Sequence, residues 1–331
     1  MNEPILKIHW ERFTAHVDLD IVTATNLLLP YTNDPIDQLI LLSEGCANTN
    51  YKVTFKNGTP AIVVRIYVRE KTALQRELGI HKLVKSIIPV PRHLYTDASC
   101  NNYTYPYAIM EWIDGYLMRE VILKKDEIAI SECAFEAGEY LNKLRQIRFS
   151  EGGFFQEHMK IRPFNHDEQY LPFVTMLLQD SVVKESLGNN LYAAAQAFVI
   201  KNAPMLPDEH GSNLTHADYD PANMLVRQVN GKWKIAAILD WEFSFAGTYL
   251  LDIGMMLRYS HKLPACYENK FIAGIQENGF HLPAIWKKQA KLMDFLCLLN
   301  LARYNPPAER PKMNNDVVSL IADTIKNWES F

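Results

Sequence analysis

Two kinds of hydrophobic pattern divide the chain. The first part reads as strands. Gln38 to Leu42 is a short apolar run, and Tyr51 to Phe55 alternates apolar with polar residues. Asn57-Gly58 is a two-residue hairpin signal, because both residue types accept positive φ. Ala61 to Val68 is rich in β-branched residues and reads as the next strand. These segments predict three antiparallel strands, with the polar turn Ser43–Asn50 after the first. Thr72 to Val84 changes period: apolar residues at 74, 78, 80 and 84 follow helical spacing. Pro89 and Pro91 close that region. Arg92–Tyr95 and Tyr107–Ile113 read as further strands, and Asp114-Gly115 is a turn. Upstream, Ile21 to Leu29 reads as a short helix stopped by Pro30. Residues 1–36 carry no functional assignment.

After Gly115 the pattern is mostly helical. Glu127 to Ile147 carries an apolar stripe at 128, 130, 134, 137, 141, 144 and 147. Residues 150–180 read as loop, ending in a helix through Val174–Leu178. Ser186 to Ile200 is helical. Met224–Val226, the turn Asn230-Gly231 and Trp233–Leu239 predict a second hairpin. Helical segments then fill 249–260, 266–278, 283–303 and 315–328. There is no internal repeat.

Composition narrows the classes. A chain of 331 residues exceeds the usual size of one hydrophobic core, so two lobes are expected. The hydrophobic fraction of 48% argues for a globular protein rather than disorder. A net charge of -4 provides no basic footprint for nucleic acid. The cysteines at 46, 100, 133, 266 and 297 are widely spaced, without a Cys-x-x-Cys pair, and read as reduced thiols. Neither a signal peptide nor an apolar run of membrane-spanning length is seen, so the expected location is cytoplasmic, with no membrane partner. Monomer and homodimer both stay open.

The chemistry concentrates in Leu214 to Val226. An apolar residue leads into His216-Ala217-Asp218, and Asn223 follows after four intervening residues. That spacing is a phosphoryl-transfer loop, in which an Asp takes the hydroxyl proton of the acceptor and an Asn holds Mg²⁺. It selects Asp218 as base, although Asp220 is close by; Asp220-Pro221 reads as a turn. The apolar run Ile238-Leu239 ends at Asp240, which suits a second metal ligand. Hard oxygen ligands in small number fit Mg²⁺. His216 reads as a packed histidine that fixes the loop. Glu242 either approaches the metal or is simply exposed. Asp252, an acid inside an apolar run, reads as a brace. In the first part of the chain, Ser43, Gly45 and Asn48 lie in a turn suited to cover phosphates. Arg65 in a strand and Glu77 in the following helix form a cation–carboxylate pair of the kind that positions phosphates. Around 112–116 the connection between lobes can offer backbone groups to adenine, at Glu111 and Ile113.

These residues resemble the aminoglycoside phosphotransferase family, within the wider group that includes choline kinases. The resemblance runs from about Leu39 to Leu257. It rests on Ser43-Glu44-Gly45 before Asn48, Val64-Arg65-Ile66-Tyr67, Glu77, Ile88-Pro89-Val90-Pro91, Ile109 to Gly115, His216 to Asn223, Leu239-Asp240-Trp241-Glu242, and Asp252-Ile253-Gly254. It implies an α+β, protein-kinase-like fold of two lobes: a small β-rich N-lobe over 1–113 and a larger, mainly helical C-lobe over 114–331. It implies ATP and Mg²⁺ as cofactors, Asp218 as base, Asn223 and Asp240 as metal ligands, and transfer to a small-molecule hydroxyl. An aminoglycoside-type antibiotic is the leading acceptor. Choline, ethanolamine or homoserine is the alternative, and a catalytically silent nucleotide-binding regulator is the alternative of another class. The chain departs from the family in Arg65, where Lys is frequent; in Leu144-Arg145, where Leu-His is usual; and in Ala217, where Gly is common. Acidic candidates for an aminoglycoside site are Asp167, Glu168, Asp220 and Glu242. Aromatic candidates for a quaternary ammonium are Tyr249, Tyr259, Trp286 and Tyr304.

Overall fold

The computed structural model describes residues 6–12, 14–42, 47–208 and 211–331. Helix α1 (Ile21–Leu28) opens on an Asp20 cap, whose carboxylate accepts the Thr23 N–H. Strands β1 (Ile36–Leu42), β2 (Thr49–Phe55) and β3 (Ile62–Ile66) follow. Helix α2 (Ala73–Val84) and strands β4 (His93–Asp97) and β5 (Tyr107–Glu111) complete this part. The five strands form one antiparallel sheet in the order β1-β2-β3-β5-β4. Every second residue of β2 is buried, as its alternation requires. One face of the sheet buries Tyr51, Val53, Val64 and Ile109 against Ala24, Leu27 and Leu28 of α1. Ala73 and Leu74 of α2 pack with Tyr67, Ala108 and Met110.

A short connection leads from Glu111 to β6 (Tyr116–Leu117), α3 (Met118–Leu123) and the long α4 (Glu127–Leu144). Then come β7 (Gly153–Phe155), β8 (Ile161–Pro163), α5 (Tyr170–Gln179), α6 (Ser181–Asn202) and β9 (Asn213–Thr215). The hairpin β10 (Met224–Val229) and β11 (Lys232–Ile238) precedes β12 (Phe245–Gly247). Helices α7 (Tyr249–Met256), α8 (Ala265–Gln276), α9 (Trp286–Tyr304) and α10 (Pro311–Lys326) finish the chain. Among the described residues, no helix is long and apolar enough to cross a membrane.

The expected strands and helices are all present. Residues 150–180 differ from expectation. They contain β7 and β8, which join β12 and β9 in a sheet ordered β8-β7-β12-β9. Each of these strands is three residues long, too short to show a period of two. Helices α4 and α8 cross closely: a Cβ on Gly138 would lie 2.1 Å from the Phe271 carbonyl oxygen, and one on Gly274 2.0 Å from that of Phe135. Leu6 is buried in the same core as α3, α4 and α7 to α10, so the stretch 6–12 packs onto the helical part of the molecule.

Candidate active site

Strand β9 delivers His216 into the loop, and two devices hold the loop's shape. Asp252 of α7 accepts the His216 N–H at 2.8 Å and the Ala217 N–H at 2.9 Å. Burial pushes the Asp252 carboxyl up to about 7, against the two N–H groups that favour its charged form. The fully buried His216 ring spans the loop. Its Nδ1 accepts the Asp218 N–H at 3.2 Å, which leaves Nε2 to donate to the Leu239 carbonyl at 2.9 Å. The ring acts as a packed brace. Ala217 sits at φ 64, in the left-handed region where glycine is at ease.

Asp220 opens a single tight turn over Pro221–Asn223, its Oδ1 accepting the Ala222 N–H at 2.7 Å. The turn aims the Asn223 amide at Asp218: its Nδ2 donates to Asp218 Oδ2 at 2.6 Å and to the Asp218 carbonyl at 2.9 Å. The Leu239 N–H donates to the Asn223 carbonyl at 2.8 Å, fixing the end of β11 beside the loop. Asp240 follows at once with φ 65 and ψ 58.

Across the cleft, the sheet supplies the cation. Arg65 on β3 reaches Asp240 Oδ1 at 2.5 Å and lies 3.6 Å from Glu77 on α2. Glu77 is held by the Tyr67 hydroxyl, which donates to it at 2.8 Å. Burial alone would lower the Arg65 pKa, but Glu77 and Asp240 outweigh it and keep the guanidinium charged. Asn48 is buried, and its amide donates to Glu242 Oε2 at 2.9 Å. Glu242 is 3% exposed, so it is not a surface acid. Burial, and then the Asp240 charge, push its carboxyl up to about 7.

A cavity of about 1010 Å³ lies between the two parts of the molecule. Asp218, Asn223, Asp240, Arg65, Glu77, Glu111 and Ile113 all line it. Asn48 sits behind its wall, on Glu242. Ser43 and Gly45 lie outside the described residues. The oxygens of Asn223 and Asp240 are the donors that suit a hard divalent cation. Two protein ligands fit an ion whose remaining positions are filled by phosphate and water. Among the described residues no cluster of three or more His, Cys, Asp or Glu forms a dedicated metal site.

The acceptor candidates separate. Glu168 lines the cavity but is occupied by Arg162 at 2.8 Å. Tyr304 lines the cavity and is exposed, whereas Tyr259 is buried with its hydroxyl on Asp316. Tyr249 packs against Phe280. Sequence reasoning missed two features. His81 and His93 meet edge to face at 4.9 Å on the cavity wall, and burial takes the His93 pKa down to about 4. Lys7 places its ammonium 2.6 Å from Asp218 Oδ1 and 3.3 Å from Asp220 Oδ2. No motif surrounds Lys7, so no local signal points to it.

Solved structures share this fold. The crystal structure of aminoglycoside phosphotransferase APH(4)-Ia superposes with a TM-score of 0.66 at 15% identity, covering 93% of this chain and 99% of that one. The gentamicin complex of APH(2")-IIa gives 0.64 at 19% identity, over 93% and 97% of the two chains. A microcompartment-associated aminopropanol kinase gives 0.64 at 16% identity, over 93% and 98%. Related structures have been solved with ADP or AMP-PNP bound. No curated protein matches the chain. The profile described as "Phosphotransferase enzyme family" matches residues 38–284, three quarters of the chain, and the chain therefore belongs to that phosphotransferase family.

Proposed function

We propose that the protein is an ATP- and Mg²⁺-dependent kinase that moves the γ-phosphate to a hydroxyl of a small molecule, with an aminoglycoside as the leading acceptor. One observation carries this reading: Asp218 and Asn223 of one loop, Asp240, Arg65 and Glu77 come from four separate stretches and converge on one cleft. Phosphoryl transfer asks for alignment and charge neutralisation more than covalent help. Asp218 has the position to orient the hydroxyl and take its proton. Asn223 and Asp240 would hold the divalent cation, which neutralises phosphate charge when bound. Arg65, steadied by Glu77, is the phosphate cation. The connection at Glu111 to Ile113 is the edge offered to adenine. We also divide the chain into a nucleotide-binding part, 1–113, and a catalytic and acceptor part, 114–331, with residues 6–12 docked onto the second.

The test is ADP release by the full chain with ATP and Mg²⁺, across aminoglycosides, choline, ethanolamine, 1-amino-2-propanol, homoserine and sugars. Stimulation by one class is expected. Asp218→Ala should lower that rate by about 10²- to 10⁴-fold, the usual scale for a positioned base, with ATP binding retained. A variant at full rate removes Asp218 from the role. ATP binding without transfer to any acceptor supports the silent regulator instead.

A further inference from the structure

Residues 6–12 enter the cleft, and their place there bears on the acceptor. The Asp218 carboxylate has two oxygens, and both are taken. Oδ2 receives the Asn223 amide and Oδ1 receives the Lys7 ammonium. A hydroxyl approaching Asp218 must share an oxygen that already holds a donor, and the Lys7 ammonium stands in its way. Lys7 in turn stays protonated: burial lowers its pKa, and Asp218 and Asp220 raise it further.

Asp220 adds a second constraint. It is 0% exposed, and its Oδ2 has no hydrogen-bond donor; the Lys7 ammonium 3.3 Å away compensates it. Arg119, also on the cavity wall, feels the same carboxylate at longer range. Moving Lys7 out leaves a buried carboxylate short of a partner, which is costly. A molecule that displaces Lys7 therefore does best by bringing its own cation.

The stretch is built to come away. Leu6 is its one deeply buried apolar residue, at 1% exposure. Trp10 packs on the edge of the same core, and the remaining hold is polar. The Trp10 indole N–H donates to Asp316 at 2.8 Å, Glu11 accepts the N–H groups of Lys312 and Met313 at 2.9 Å each, and Arg12 donates to the Asn48 carbonyl at 2.9 Å. Leu6, Lys7 and His9 hold φ of 55, 58 and 69, a left-handed conformation unfavourable for side-chain-bearing residues. Release relieves that strain, and the apolar surface it exposes is confined to Leu6 and Trp10.

We infer that residues 6–12 are an internal competitor for the acceptor: the Lys7 ammonium occupies the seat between Asp218 and Asp220 that an acceptor's ammonium takes when its hydroxyl lies on Asp218. The inference rests on the phosphotransfer reading and narrows it. One ammonium touches both carboxylates, so a hydroxyl on the first and an amine on the second belong to one short unit, an amino alcohol with the two groups on adjacent or next-adjacent carbons.

The test compares the original chain with Lys7→Met and Trp10→Phe. Phosphate transfer is measured to kanamycin, to 1-amino-2-propanol and to amine-free glycerol. An internal competitor raises the apparent dissociation constant by dividing it by the fraction of open molecules, so each variant should lower KM for the amine-bearing acceptor about tenfold while kcat stays near its original value. A fall in kcat for Lys7→Met at unchanged KM makes Lys7 a catalytic cation and overturns the inference. Unchanged KM in both variants overturns it too, as does equal transfer to glycerol. A second measurement needs no phosphotransfer: acetylation of each lysine by acetic anhydride, followed by mass spectrometry. Lys7 should react more slowly than the exposed lysines in the original chain, and faster in Trp10→Phe. If no acceptor is phosphorylated by any variant, the kinase reading fails, and protection of Lys7 that Trp10→Phe relieves still upholds the docked segment. Rapid acetylation of Lys7 in the original chain removes the competitor whatever the enzyme does.

Discussion

Ala217 is a single residue whose backbone the whole site relies on. Its N–H is pinned to Asp252 at φ 64, next to Asp218. An L-residue in this conformation carries a penalty that glycine avoids, and the loop bonds do not depend on the Cβ. Ala217→Gly is therefore expected to stabilise the protein by about 0.5–1 kcal/mol, read from the urea midpoint at constant slope. Asp252 bears on pH at the same scale. Its folded pKa of about 7 lies above its ordinary value of 3.8, so the native state keeps a proton that the unfolded chain releases. That contribution is favourable below the ordinary value and is lost as pH rises to about 7, by up to about 1.4 kcal/mol per pH unit. Urea denaturation from pH 4 to 7 should show stability falling with pH less steeply in Asp252→Asn than in the original chain. Equal slopes would place the pH dependence elsewhere.

Among elements, the crossing of α4 and α8 decides where the loop His216–Asn223 rests. The Tyr219 hydroxyl donates to the Ala137 carbonyl of α4 at 2.7 Å, so α4 is a floor for the loop. Gly138 lets α8 press against that floor, with the Phe271 carbonyl where a side chain would begin. Backbone cannot give way as a flexible side chain can. Gly138→Ala should cost about 1–3 kcal/mol, the range for an overpacked core, and lower the melting temperature while the pH dependence stays as it was. The same comparison shows what a sequence pattern can and cannot carry. The apolar stripe of α4 is visible as a period of 3.6, but nothing in that period says that Gly138 faces Gly274 rather than solvent. Strands β7, β8, β9 and β12 make the converse case: their pairing is built from partners far apart in the chain, and each alone is too short to have a period.

For the whole molecule, the interface between the two parts joins apolar packing of Ile80, Val84 and Ile88 to a set of polar contacts. Arg65 reaches Asp240, Asn48 reaches Glu242, and the Arg76 guanidinium donates to the Glu242 carbonyl at 2.7 Å. A bound nucleotide and its cation would add contacts on both sides of this seam. ATP with Mg²⁺ at a hundred times its Kd should stabilise the fold by about 2.7 kcal/mol, a rise of several degrees in Tm. Asp240→Ala should erase the part of that rise that depends on Mg²⁺, and Arg65→Ala the part that depends on phosphate. A thermal shift series with ATP, ADP and adenosine, each with and without Mg²⁺, separates the two. An Asp240→Ala protein that keeps the full Mg²⁺ increment would take Asp240 out of the metal site.

What the sequence determined by itself is whatever a few consecutive residues decide. The period of two in Tyr51–Phe55, the hairpin signals at Asn57-Gly58 and Asn230-Gly231, and the helical stripes all became the expected elements, because backbone geometry and one-sided burial act within a single segment. The spacing from His216 to Asn223 is local for the same reason: one tight loop carries a ring that braces it and an amide that points back at Asp218. Tertiary structure decided the rest. Glu242 reads equally well as a surface acid until Asn48, 194 positions away, meets it in the interior. Lys7 is one lysine among many in the sequence, and only folding brings it across 211 positions to the carboxylate of Asp218. Contacts of that range leave no periodicity and no spacing behind, since the residues between them are free to vary in number and kind.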